Sequence, residues 1–78
     1  MAIATFERIT HRAGVMGGMP CIRGMRVTVG MIVGRIGAGR SIDELLADYP
    51  DLEREDIAQA LRYAAWRARE RDIALSEP

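Results

Sequence analysis

Several features that would assign a chain to a known class are missing from this sequence. A single cysteine among 78 residues excludes a disulfide within the chain and predicts a reducing, cytoplasmic environment. Since no apolar run approaches the roughly 20 residues that span a bilayer, we expect no membrane segment. The N-terminus lacks a basic region followed by an apolar stretch, so we also expect no secretory signal.

Groups that bind metals or catalyse reactions are equally scarce. His11 is the only histidine and Cys21 the only cysteine, which excludes a clustered structural zinc site. The run GVMGGMPCIRG at residues 14–24 continues without the Gly-Lys-Ser/Thr of a phosphate-binding loop. We therefore expect Cys21 near the core and His11 on the surface, with no enzymatic activity, no cofactor and no small-molecule substrate.

The composition is typical of one small globular domain, with 49% hydrophobic and 28% charged residues. The core of so short a chain is marginal on its own. We therefore expect a homodimer, or another protein partner, to supply further stability.

Charge is unevenly spread along the chain. Lysine is absent, all 11 basic residues are arginines, and the net charge is zero. Residues 1–40 hold six arginines against one glutamate, whereas residues 41–58 hold seven carboxylates against one arginine. Such asymmetry predicts a charged partner or self-association, and an ordinary solvated surface is the alternative.

Residues 41–65 carry two helical patterns on either side of a short turn, which predicts a helix-turn-helix. Ser41 and Glu44 form a capping box at the start of the first helix, and Pro50 ends that helix near Asp48. The second helix has an apolar face formed by Ile57, Ala60, Leu61, Ala64 and Ala68. Carboxylates in the first turns favour the helix dipole, so we expect them on solvated faces. These carboxylates are Asp43, Glu44, Glu55 and Asp56.

Another helix precedes this motif. Thr28 is its predicted N-cap and Gly39 its C-terminal stop, and its apolar face consists of Val29, Ile32, Val33 and Ile36. Gly30 and Gly34 each cost roughly 1 kcal/mol relative to alanine inside a helix. We expect either a close backbone approach along their side or a short helix held only by tertiary packing.

The residues before Thr28 read as an N-terminal arm. Short extended pieces are predicted at residues 8–10 and 15–16, followed by glycine-rich turns and a loosely alternating segment at 21–27. The chain is thus predicted to be a single, mainly α domain. It comprises an extended arm or hairpin (1–27), a three-helix helix-turn-helix core (28–70, with helices near 29–38, 42–48 and 53–70) and a frayed tail (71–78).

Whether the motif reads DNA depends on the outward face of its last helix. A helical wheel centred on Ile57 places Gln59, Arg62 and Trp66 outward, and Gln59 and Arg62 are candidates for reading base edges. The balance of −6 over residues 41–58, however, repels phosphates within a Debye length of about 8 Å. Direct reading of DNA bases by the last helix is therefore disfavoured. An outward Trp66 beside Arg62 instead predicts a partner contact, and cover by the arm is the alternative.

Three segments carry a resemblance to a known family: GVMGGMPCIRGMRVTV, GAGRSIDELLADYPDL and EDIAQALRYAA, which lie between residues 9 and 65. They resemble the small prokaryotic family known as domain of unknown function 433. The matching pieces are Gly18-x-Pro20, Ile22-Arg23-Gly24-x-Arg26, Gly39, Tyr49-Pro50-x-Leu52, Glu55-Asp56-Ile57, Ala60-Leu61 and Tyr63-Ala64. Met19 stands where a lysine is common, Met25 where a threonine is common, and Glu53 where a threonine often caps the third helix.

The resemblance implies a homeodomain-like three-helix fold, commonly dimeric, and an antitoxin-like role. Members are similar to VapB-type antitoxins and often accompany a gene for a PIN-like nuclease toxin, so we expect this chain to neutralise such a toxin and to regulate its own operon. Arg23 and Arg26 are expected to pair with the acidic pocket of the nuclease. Their alternative role is to tie the arm to the acidic helix 42–48 of the same chain or of its dimer mate. A DNA-binding regulator without a toxin partner is the alternative function, and a dimeric module with neither activity is the third.

Overall fold

A short hairpin and three helices make up the part of the chain, residues 6–70, that the computed structural model describes. The elements in chain order are β1 (Ile9–Thr10), a 3-10 turn (Met16–Gly18), β2 (Cys21–Ile22), α1 (Val29–Gly37), α2 (Ile42–Asp48) and α3 (Arg54–Glu70). The helix bounds agree with the predicted ones to within one residue. The predicted class, a mainly α three-helix bundle with an N-terminal hairpin, is confirmed. The predicted tail at 71–78 lies outside the described residues.

Local capping explains where α1 and α2 begin and where α1 ends. The Thr28 side chain accepts the Met31 amide at 3.0 Å, as its predicted N-cap role requires. Gly39, with a φ of +102°, lets the chain leave α1, because the amides of Gly39 and Arg40 then reach back to the last carbonyls of the helix. The predicted capping box of Ser41 and Glu44 is present at the start of α2.

The hairpin of the arm is antiparallel, with Ile9 opposite Ile22 and Thr10 opposite Cys21. Of the predicted extended piece at 15–16, only Val15 has extended backbone angles. Met16 instead opens the 3-10 turn with a φ of +49°. Cys21 is buried, as predicted. Its backbone also forms an isolated antiparallel β-bridge with Thr28, so the end of the hairpin leads directly into α1.

The core lies where the hairpin, α1 and α2 meet α3. Its buried side chains are Ile22, Val29, Ile32, Leu45, Leu52, Ile57, Ala60 and Tyr63. The buried side of α3 is rotated from the predicted apolar face: Ala64 is only half-buried and Ala68 is exposed, whereas Asp56 and Gln59 are buried. The reason is that the arm covers this polar side of the helix.

The glycine-bearing side of α1 is open. A Cβ atom added at Gly34 would meet nothing within 4 Å, and at Gly30 it would meet only the Thr28 hydroxyl at 3.8 Å. The close backbone approach considered for this side is therefore wrong within the described chain, and tertiary packing of the opposite side holds the helix. No helix among residues 6–70 is long and apolar enough to cross a membrane.

Candidate interaction surface

A buried carboxylate joins the arm to the start of α3. The Asp56 side chain is 0% exposed and accepts four hydrogen bonds. The Arg23 guanidinium donates two of them, from Nε to Oδ1 at 3.0 Å and from Nη2 to Oδ2 at 2.8 Å. Arg8 Nη1 donates a third at 2.8 Å, and the Glu53 amide a fourth at 2.8 Å. We call Asp56, Arg8, Arg23 and Glu53 the Asp56 cluster.

Electrostatics explain why a charged group is tolerated here. Burial by itself would raise the pKa of Asp56. The hydrogen bonds from Arg23, Arg8 and the Glu53 backbone outweigh that effect and hold the pKa at about 2. The carboxylate in turn raises the pKa values of Arg8 and Arg23 through hydrogen bonding. Because every charge in the cluster has a partner, the arm can be held without an isolated buried ion.

Asp56 also performs a local task at the start of α3. It is the third residue of the helix, and its carboxylate accepts the amide of Glu53, which immediately precedes the helix. This bond is the half of a capping box that the third residue supplies. The helix start is thus capped from within by the side chain of Asp56. The prediction that Asp56 lies on a solvated face is wrong, whereas Asp43, Glu44 and Glu55 are exposed as predicted.

Arg23 is occupied by this internal contact. Besides Asp56, its Nη2 donates to the Asp51 carbonyl at 2.8 Å. The two roles considered for Arg23 were binding the partner and tying the arm to helix 42–48. The structure gives it a tying role, but the anchor is Asp56 in α3 rather than the carboxylates of α2.

Gln59 does not face outward, and its predicted place on the DNA-reading face is wrong. The residue is 3% exposed, and its side-chain oxygen accepts the Arg8 amide at 2.6 Å. The helical wheel was centred on the apolar residue Ile57. Such a wheel does not show that the polar arm covers the side of α3 that carries Gln59. In this conformation Gln59 cannot reach a base edge.

Arg62 and Trp66 lie further along α3. Arg62 is exposed, as predicted, and pairs with Glu55 at 2.8 Å. Trp66 is 36% exposed, with Phe6 of the arm at a centroid distance of 5.7 Å and Tyr63 at 5.9 Å. The described part of the arm therefore covers Trp66 only in part, and about a third of this residue stays accessible to solvent.

Arg26 differs from Arg23 although both lie on the same loop. Its side chain is exposed, and its polar contact among the described side chains is a weak one, 3.9 Å from Nη1 to the Met16 sulfur. Arg26 lines an open groove of about 370 Å³ between the arm and the end of α2. The other lining residues are Met25, Val27, Asp48, Tyr49, Pro50, Asp51 and Leu52.

The acidity of residues 41–58 is largely neutralised within the chain. Six of the seven carboxylates in this segment pair with arginines. The exception is Asp51, whose side chain has no ion pair among the described side chains. The paired arginines are Arg8, Arg23, Arg40, Arg54 and Arg62. Adding charges along the segment therefore overstated the repulsion that an anionic partner would meet.

The Asp56 cluster is the part of this surface that sequence reasoning missed. One signal was present in the sequence. The arm carries four arginines against one glutamate, so a carboxylate at the third helical position has a long-range partner available. Metal binding has no comparable basis, because residues 6–70 contain no group of three or more side chains that could hold an ion.

Comparison with known proteins places these features in a family. The model of the family described as "Protein of unknown function (DUF433)" matches residues 9–64. The uncharacterized protein y4eO of Sinorhizobium fredii is 36% identical over 61 residues, which cover 78% of this chain and 28% of that relative. The crystal structure of a DUF433 member from Anabaena variabilis matches with a TM-score of 0.75 and 35% identity over 83% of this chain. The chain spans 64% of that protein. On these matches, the chain belongs to the DUF433 family.

Proposed function

We propose that this protein is antitoxin-like and that it binds and neutralises a PIN-like nuclease toxin. One observation carries the proposal: Arg26 is exposed beside a groove and has no carboxylate partner among the described side chains. The family resemblance supplies the class of partner, a nuclease with an acidic metal-binding pocket. A guanidinium pairs with carboxylates in a directed and often bidentate way, which suits such a pocket.

The Asp56 cluster supports this role by holding the arm in place. Arg23 Nη2 and the Arg23 amide both attach the loop before Arg26, the amide through a 2.7 Å bond to the Arg8 carbonyl. A loop that is already ordered loses less conformational entropy on binding. Arg26 would thus act from a prearranged position. Arg62 and Trp66 do not carry the proposal, because Arg62 has an internal partner and Trp66 packs on Phe6.

The test is inhibition of a PIN-like nuclease encoded beside this protein's own gene. The two purified proteins are mixed, and nucleic acid cleavage is followed as the present protein is added. We expect inhibition near equimolar ratio, and at least about tenfold weaker inhibition by Arg26→Ala, the loss typical of a binding hot spot. Arg54→Ala is the matched control, since Arg54 is exposed but pairs with Asp43. Absence of inhibition by the unaltered protein contradicts the function; equal behaviour of the two variants contradicts the role of Arg26.

A DNA-binding regulator is the second candidate, and one observation favours it. Internal pairing of the acidic residues leaves arginines without carboxylate partners among the described side chains, namely Arg12, Arg26, Arg35, Arg67 and Arg69. Cations of this kind could contact phosphates, with affinity that falls as salt rises. A mobility shift on the protein's own promoter at increasing salt tests this activity, and no shift even at low salt rejects it.

We also propose that the protein works as a cytoplasmic homodimer. The reducing cytoplasm suits its lone, buried cysteine. The described core contains only nine buried hydrophobic residues, and a core of that size is marginal in a single small domain. Sedimentation over a range of concentrations tests the dimer, and a monomer at all of them contradicts it.

A further inference from the structure

An open cavity of about 380 Å³ lies beside Trp66, between the arm and the second half of α3. Its lining residues are Phe6, Ile9, His11, Tyr63, Trp66 and Arg67, and we call it the aromatic cavity. Four of the six lining side chains carry aromatic rings, whose centroids lie between 5.2 and 6.1 Å apart in the contacting pairs. His11 Nε2 and the Tyr63 hydroxyl, 3.2 Å apart, add polar atoms to it.

The charge of the cavity has one sign. Arg67 is its charged lining residue, and no carboxylate of the described residues lines it. A neighbouring cavity of about 520 Å³ shares Tyr63 and Arg67, and its described lining likewise holds no carboxylate. The groove at Arg26 differs, because both Asp48 and Asp51 line it. The surface around Arg67 therefore suits an anionic ligand.

We propose that the aromatic cavity is a stacking site for an unpaired base of single-stranded nucleic acid, with Arg67 contacting a phosphate. Aromatic rings beside a cation match the two components of a nucleotide, the flat base and the anionic phosphate. An acidic peptide would match the charge, but an aliphatic side chain gains no particular benefit from a lining made mainly of rings. This role is independent of nuclease binding.

The chain contains one tryptophan, and it lines the cavity. Its fluorescence therefore reports on the site directly. Titration with an eight-nucleotide oligo-dT at low salt should quench this fluorescence, and the affinity should fall as salt is added. A duplex of equal length should bind at least about fivefold more weakly, because paired bases are not available for stacking.

Variants separate stacking from general attraction between charges. With a dye-labelled oligo-dT, we expect Arg67→Gln and His11→Ala each to weaken binding by at least about fivefold. Trp66→Phe, which keeps a ring, should retain most of the affinity. Arg54→Gln is the control for net charge, since it lies on the same helix outside the cavity and should bind as the unaltered protein does. Circular dichroism checks that each variant is folded.

Several outcomes overturn the proposal. Absence of binding at low salt does so, as does duplex binding equal to single-strand binding. Equal losses in Arg67→Gln and Arg54→Gln would indicate non-specific attraction. An acidic peptide of equal charge that displaces the oligonucleotide at similar concentration would assign the cavity to protein segments instead.

Discussion

The two halves of α3 meet the same arm in different ways. Near its start, Asp56 and Gln59 are buried and accept hydrogen bonds from Arg8 and Arg23 at defined distances. Towards its end, Trp66 meets the described part of the arm through ring contacts with Phe6, and a cavity lies open beside it. A buried charge must have its partners in place, whereas apolar contact is non-directional. The first half therefore fixes the arm, and the second half is available to bind.

The same difference separates two arginines on one loop. Arg23 binds a buried carboxylate within the chain, and Arg26, three residues later, has no carboxylate partner among the described side chains. Residue type and segment charge are the same for both, so neither property decides which arginine is structural. The position of Asp56 decides it. The predictions that follow test this division, from the largest expected effect to the smallest.

Removing the buried charge should have the largest effect on stability. Asp56→Asn leaves the partly exposed Arg8 and Arg23 without their shared carboxylate. Loss of these charge-assisted hydrogen bonds should cost about 2 to 3 kcal/mol of unfolding free energy. Urea unfolding followed by circular dichroism measures this change. Asp51→Asn is the control, because the cluster uses only the backbone carbonyl of Asp51; its effect should stay within about 0.5 kcal/mol. Similar stabilities of the two variants would show that Asp56 does not hold the arm.

Acid should remove much of the same stabilisation. The pKa of Asp56 is about 2 in the folded chain and near 4 when the chain is unfolded. Because this pKa is lower in the folded chain, the ionised Asp56 carboxylate stabilises the fold. The contribution is complete above about pH 4 and is lost as the pH falls towards 2 and below. The shift corresponds to about 2 kcal/mol. The stability difference between the unaltered protein and Asp56→Asn should therefore shrink as the pH falls from 5 to 2. A difference independent of pH would contradict this assignment.

Gln59 should matter for stability rather than for base reading. Gln59→Met removes the acceptor of the Arg8 amide and should cost about 1 to 2 kcal/mol in urea unfolding. Arg62→Met, on the same helix, removes only an exposed ion pair and should change stability by less than about 0.5 kcal/mol. Equal losses of unfolding free energy in the two variants would contradict the buried, hydrogen-bonded position of Gln59.

Substitutions of Gly34, inside α1, and of Gly39, just after it, should have the smallest effects on stability, with opposite signs. Gly34→Ala meets open space inside a helix, so it should stabilise the fold by about 0.5 to 1 kcal/mol. Gly39→Ala must adopt a φ of +102° and should destabilise it. Thermal unfolding of both variants measures this. A loss of stability in Gly34→Ala would reveal a second copy of the chain packed against this side of α1.

Much of the fold was predictable because its signals are local. Thr28, the Ser41 and Glu44 pair, and Gly39 each act on groups within four residues, so the helix bounds could be derived from short motifs. The hairpin was predicted as well, although the 3-10 turn at Met16 was not. That turn depends on backbone angles which residue types in a glycine-rich run leave undecided.

The candidate site was predictable only in part, because its contacts join distant segments. Arg8 and Arg23 reach Asp56 across 48 and 33 positions, and no periodic pattern encodes such a pairing. Placing Gln59 outward followed from a wheel that counted apolar residues alone. Summing charge by segment likewise treated each carboxylate as free, although most of those in residues 41–58 have arginine partners in the folded chain.

Urea unfolding of Arg23→Ala and Arg26→Ala, in the same experiment, tests most directly the division between fixed and available surfaces. Both variants lose one guanidinium from the same loop, so their net charges are identical. We predict that Arg23→Ala clearly lowers the unfolding free energy, because it removes charge-assisted hydrogen bonds to a buried carboxylate. Arg26→Ala should leave the unfolding free energy within about 0.5 kcal/mol of the unaltered protein. Equal losses, or a larger loss for Arg26→Ala, would contradict the account.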